Sequence, residues 1–234
     1  MGLPTATWTL PGAALPATAY SAGLGLLIEQ PERLEAQLAT HLKRGCIHFA
    51  IGNETAEPGC PNGMVVLTGR AEDGDKTGGC DLQVWEMAPP NHASLGIHIG
   101  QSVDDMLAVF EPSATSWSKR LNNQWDTAGI KDTSGYGTVS SHYGMHMVAW
   151  HIPIAISGQQ AELHKGSLTF DPKVKAPYTL PVFMPGVLGT LTASSSGTHT
   201  LTLTVGELDL DVLAVAGKAA PGKVHVAVGK PITW

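Results

Sequence analysis

Three groups of residues have the types and spacing to do chemistry. His142 and His146 in HYGMH stand one helical turn apart, with His151 close behind, so their imidazoles could share a metal ion. The sequence offers no third ligand at metal spacing and no H-E-x-x-H, so neither a metal nor another cofactor is expected. The run DGDKTG, Asp73 to Gly78, opens like a calcium loop, with oxygen side chains alternating ahead of a glycine turn. Val84 stands where that loop needs a bidentate Glu, which leaves a solvated turn as the expected form. Trp85, Trp117, Trp125 and Trp150 offer flat faces on which a sugar ring can stack. Trp117 and Trp150 fall on apolar helical stripes and are expected in the core, whereas Trp85 and Trp125 stand at loop edges and are the better stacking surfaces. No G-x-S-x-G elbow is present, so serine nucleophile chemistry has no support. Cys46, Cys60 and Cys80 form no C-x-x-C. Three reduced thiols are the simpler reading, and a Cys60–Cys80 bridge is the alternative in an oxidising compartment.

The elements that must position these groups follow from composition and periodicity. With 43% hydrophobic and 15% charged residues the chain is too apolar to be disordered, and 27 Gly with 16 Pro are too many breakers for a plain helix bundle. Lys and Arg total 14 against 20 Asp and Glu, which removes the basic footprint that nucleic acid requires. Pro4, Pro11 and Pro16 interrupt the uncharged stretch before Glu29, and no run reaches about 18 uninterrupted apolar residues, so a soluble chain without a leader or a membrane span is expected.

Leu34, Leu38 and Leu42 recur at every fourth residue behind Pro31 and predict a helix over 31–45. Pro89 and Pro90 can open a second helix at NHASLGIHIG. Ser102 with Asp105 is a capping-box pattern that starts a third. Its stripe of Met106, Val109, Phe110, Trp117 and Leu121 is kinked or divided by Pro112. The segment SHYGMHMVAWHIPIAISG, apolar on most faces, predicts a largely buried helix over about 142–157.

From Lys165 the period changes to alternation, which predicts an antiparallel sheet. A hairpin is expected around Gly206, with Leu201, Leu203, Val205, Leu208, Leu210 and Val212 buried and Thr200, Thr202, Thr204, Asp209 and Asp211 solvated.

Four stretches in this order, QVWEMAPPNHASLGIHIG, LNNQWDTAGI, SHYGMHMVAWHIPIAISGQ and GSLTFDPKVKAPYTLPVFMPGVLGTLT, resemble the carboxy-terminal half of the non-lysosomal glucosylceramidase-like β-glucosidases. The similarity covers roughly residues 60 to 234 and rests on order and texture. The periodicities give an α+β chain with an irregular segment over 1–30, a helical region over 31–158 and an antiparallel β-sheet or sandwich over 159–234 packed on the helices, and the resemblance implies that the helical region is like part of a six-hairpin α/α toroid.

The activity implied by the resemblance is retaining β-glycoside hydrolysis, with one carboxylate as nucleophile and a carboxyl about 5–5.5 Å away as acid/base. The family's acid/base is an Asp shortly before a Trp. Alignment on Trp85 puts Gln83 at that place, so Asp81 and then Glu86 are the expected catalytic residues. His142 and Tyr143 would form a sugar-facing wall, with Trp85 and Trp125 as stacking surfaces. The family's nucleophile lies on a part of the toroid farther upstream than the residues before Asp81 extend. The chain is therefore expected to be incomplete for catalysis alone, with a carbohydrate ligand and with another chain or a second copy against its helical part. The rival reading is a non-enzymatic binding or structural subunit on the same scaffold.

Overall fold

The computed structural model describes residues 7–8, 17, 19–20, 31–45, 67–68, 88–115, 127–128, 139–140 and 145–234. The chain divides into two compact units, Met1–Thr18 with Ile28–Ile152 and Ala19–Leu27 with Pro153–Trp234. The fold is mixed α+β, with the sheets concentrated at the carboxy-terminal end. Among the described residues no helix is long and apolar enough to cross a membrane.

In the first unit, helix α1 spans Pro31–Gly45 and buries Leu34 and Leu38 while Glu32, Arg33 and Glu35 stay exposed. Helix α2, Ala88–His98, takes Pro89 and Pro90 into its first turn, where a missing N–H costs no intrahelical bond. Every side chain from Pro89 to Ile97 is buried. Helix α3 is Val103–Thr115, and the Asp105 N–H donates to Ser102 Oγ at 3.4 Å. It runs through Pro112 without dividing, and Met106 and Val109 form its buried stripe. A Cβ at Gly96 would collide with Met106 Sδ and press on Leu38, so this glycine is what lets α1, α2 and α3 approach. Two short antiparallel pairs complete the unit: β1 (Thr7–Trp8) with β2 (Leu67–Thr68), and β3 (Thr127–Ala128) with β4 (Val139–Ser140).

The helix expected over 142–157 has a different form. Met145–Trp150 is a 3-10 segment that passes into helix α4, His151–Ser157. At three residues per turn Met147 and Trp150 fall on the same face, and both are about 60% exposed, at 61% and 60%. Trp150 is therefore not the core residue that a 3.6-residue period implied.

The second unit is built from alternation. Strands β5 (Gln160–Glu162), β6 (Ser167–Phe170), β11 (Val212–Val215) and β12 (Lys218–Ala219) form one sheet in the order β12-β11-β6-β5. Strands β7 (Tyr178–Met184), β8 (Val187–Ala193), β9 (His199–Val205) and β14 (Ile232–Thr233) form a second in the order β14-β9-β8-β7. Strand β10 (Glu207–Leu210) pairs separately with β13 (Val224–Ala227). Leu168, Phe170, Val182, Leu191, Leu201, Leu203, Leu208, Leu213 and Val226, drawn from all three groups, share one hydrophobic core. Burying each such side chain contributes about 1.5–3 kcal/mol.

Three expectations about this region are corrected. The sheets are not wholly antiparallel, because β6 and β11 run parallel in the register Leu168↔Leu213. The whole β7–β10 passage serves as the crossover that a parallel pair requires. Nor is there a hairpin at Gly206. A single residue is too short for even the two-residue hairpin loop, and Gly206, with φ +80°, instead directs the chain out of β9 into the separate β10–β13 pair. Finally, Val205 and Val212 are exposed, at 47% and 43%. The amides of Asp211 and Val212 both donate to Gly166 O, at 2.7 and 3.0 Å. That bulge shifts the alternation by one, so Leu208 and Leu210 before it and Leu213 and Val215 after it all face inward.

A Cβ at Gly206 would collide with the Gly186 carbonyl oxygen, whereas one at Gly197, also at positive φ, meets nothing within 4 Å. Gly206→Ala is expected to destabilise the protein by about 3 kcal/mol and Gly197→Ala by about 1 kcal/mol. Urea unfolding of the two variants checks the difference.

Candidate functional site

All six residues assigned to catalysis or sugar contact, Asp81, Trp85, Glu86, Trp125, His142 and Tyr143, lie outside the described residues. The DGDKTG run, Cys46, Cys60, Cys80 and Trp117 do so as well. Of the histidine trio, His151 has a described side chain. Its Nδ1 is buried without a hydrogen-bond partner, and burial holds the imidazole below its ordinary value of 6.5. Among the described residues no three His, Cys, Asp or Glu side chains converge as a metal site would need.

The described residues do form a recess of about 520 Å³ on the second unit, within the ~300–1,000 Å³ range of small-molecule sites. Its floor follows from register. Thr179 pairs with Thr192, Thr192 with Thr200 and Thr200 with Thr233, a row of threonines across β7, β8, β9 and β14. The next row, Leu180, Leu191, Leu201 and Ile232, points to the opposite face, where its leucines are buried. Alternation therefore makes the threonine row face outward because the leucine row faces inward. Thr179, Thr192 and Thr200 line the recess, with Ser194 and Thr198 from the β8–β9 loop beside them. Tyr178 and Ala193 also border it, but they sit one step out of phase with the threonines; Tyr178 packs against the core, which raises its phenol above the ordinary value of 10.0.

The loop that forms the rim is held by its own hydroxyls. Ser194 Oγ accepts from the Thr198 N–H at 3.1 Å and lies 2.7 Å from Ser196 Oγ, while the Ser194 N–H donates to Thr198 O at 2.9 Å. Lys218 Nζ donates to Gly197 O at 3.0 Å. On the floor, Thr200 Oγ1 and Thr233 Oγ1 are 3.0 Å apart, and Thr192 Oγ1 donates to Thr200 O at 3.4 Å. The lining carries no carboxylate, ammonium or imidazole, so a ligand there meets neutral groups that both donate and accept.

The carboxylates of this unit with defined partners lie elsewhere. Asp171 meets Lys173, Asp211 meets Lys223, Asp209 meets His225 across β10 and β13, and Glu162 meets Lys165. Lys165 holds the Glu162 carboxyl below its usual value, and Asp211 raises the Lys223 ammonium. All four carboxylates are solvent-exposed and paired with basic side chains, and none of them lines the recess. No family model matches the chain, and neither does any curated protein.

Next to the threonine floor, the C-terminal strand is fastened by reciprocal backbone bonds between His199 and Trp234, at 2.9 and 3.0 Å, with their rings 5.7 Å apart. Trp234 Nε1 donates to Lys218 O at 3.1 Å. The His199 imidazole has a buried, unpartnered Nδ1 and is held below 6.5 by burial and then by Lys218. The unfolded chain therefore binds more protons than the folded one as pH drops below 6.5, so stability is full above that value and is lost as pH falls through the folded-state pKa values of His199 and His151. Urea unfolding at pH 7.5 and 5.5 should give lower stability at 5.5, and His199→Gln should reduce that difference.

Proposed function

We propose that this chain is the carboxy-terminal part of a glycosidase-like, carbohydrate-associated protein, and that it binds carbohydrate without cleaving it alone. The finer fold reading, that its helices are a segment of a six-hairpin α/α toroid, rests on the resemblance of QVWEMAPPNHASLGIHIG and SHYGMHMVAWHIPIAISGQ to that family. The observation that carries the binding reading is the uncharged, hydroxyl-lined recess over Thr179, Thr192 and Thr200. A neutral saccharide presents hydroxyls that donate and accept, as these do, and a charged ligand would find no countercharge. Because the floor is shallow and its hydroxyls partly bond to one another, affinity should be of order 1 mM, about −4 kcal/mol.

Amide shifts in an NMR titration with a neutral β-linked oligosaccharide are expected at Thr179, Thr192 and Thr200. Thr192→Val removes the central hydroxyl at constant shape and should weaken binding by about 1 kcal/mol, roughly fivefold. Shifts confined to other surfaces would contradict the reading.

The non-enzymatic part of the proposal is supported by the placement of Glu162, Asp171, Asp209 and Asp211 on the surface beside basic partners. The pure chain is expected to leave an aryl β-glucoside intact. Turnover that is lost in both Asp81→Asn and Glu86→Gln would mean that a complete catalytic pair is present. Association with another chain or a second copy through the helical part is favoured by the exposed Met147 and Trp150.

A further inference from the structure

We propose that the recess takes the interior of a single extended β-1,4-linked saccharide chain, laid across the strands with one sugar over each of Thr179, Thr192, Thr200 and Thr233. This deepens the saccharide reading of the recess and rests on it. Register puts the four residues in one row, Thr179 beside Thr192, Thr192 beside Thr200 and Thr200 beside Thr233. Neighbouring strands lie about 4.8 Å apart, close to the advance of one sugar in an extended β-1,4-linked chain. One hydroxyl therefore falls to each sugar. A hydroxyl has one donor and two acceptor positions, so the bonds of Thr192 to Thr200 O and of Thr200 to Thr233 leave capacity for a ligand.

The direction of the chain follows from the neighbouring positions. At the start of β7 the outward residues are Pro177, Thr179 and Pro181, so a saccharide laid along that strand would meet a single hydroxyl. Along β9, Thr200 and Thr202 are two residues and about 6.8 Å apart, too far for successive sugars, and Thr202 lies outside the recess. The recess instead crosses β7, β8 and β9. Its row is also open at both ends. Strands β7 and β14 are the two edges of this sheet, and Thr179 and Thr233 are exposed while Thr192 and Thr200 between them are partly buried. A polymer can continue past either edge, with the Ser194–Thr198 loop beside it and not across it.

Twist separates one chain from a flat surface. Each strand turns by about 20–25° relative to the next, so the outward direction rotates by about 60–75° from Thr179 to Thr233. A single chain can follow that rotation about its glycosidic bonds. The rigid face of a crystalline polymer cannot touch all four threonines at once.

NMR titration of the full chain with β-1,4-linked glucose oligomers of one to six units tests the proposal. Affinity is expected to rise with each unit to about tenfold at four, and then to level off. Thr233→Val and Thr179→Val each remove an end hydroxyl at an exposed strand position where valine is well accommodated. Each should weaken the tetramer about fivefold and leave the dimer, which sits over Thr192 and Thr200, unchanged. A single glucose that binds at Thr192 as tightly as the tetramer overturns the proposal and leaves the saccharide reading standing. So does a tetramer whose affinity both valine variants leave unaltered. An absence of shifts at Thr179, Thr192 and Thr200 with every oligomer overturns both.

Discussion

The second unit depends on one constraint: strands from separate sheets must fill a single core. Leu191 and Leu201 enter it from one sheet, Leu168 and Leu213 from the other, and Leu208 and Val226 from the β10–β13 pair. Side chains alternate along a strand, so a slip of one residue would exchange this leucine set for threonines. Each misplaced leucine would forfeit about 1.5–3 kcal/mol of burial and bring hydroxyls into apolar surroundings. The core therefore fixes the register of β7, β8 and β9. The outward row of Thr179, Thr192 and Thr200 then follows, and the recess lies over that row. The same register brings Thr233 of β14 to the end of that row.

Local signals in the sequence were legible where local physics decides. The Leu34 and Leu38 stripe, the proline pair at the head of α2 and the Ser102 cap each specify an element through residues within a turn of one another. The change from a helical period to alternation likewise marks where the sheets begin. Trp150 is exposed because its 3-10 segment turns every three residues, whereas a stripe drawn at 3.6 places it on the apolar face. Alternation on both sides of Gly206 describes a hairpin and a strand leaving its sheet equally well. What separates them is the partner of β10, and that is β13, farther along the chain. The bulge at Asp211 depends on the carbonyl of Gly166, which no window around Asp211 contains.

The recess was less legible than the fold. T-x-T spacing in THTLTLTV reads as a solvated face, which is accurate for each strand separately. A floor appears when Thr179 and Thr192 are brought beside Thr200 and the Ser194–Thr198 loop closes the rim, and that depends on pairing register. Thr233 gave no sequence signal, because its place in the row exists through Thr200 on a distant strand. The residues implied by family resemblance, Asp81 and Glu86 above all, fall outside the described positions, so the reading of the site rests on the sheet unit.

Native-state hydrogen exchange tests most directly whether one core governs this unit. Amides of Leu191 and Leu201 in one sheet and of Leu168 and Leu213 in the other should open with a common free energy and a common denaturant dependence, as members of one cooperative unit. Two separate opening free energies, one for each sheet, would contradict the account, because the threonine floor would then no longer be set by a shared core.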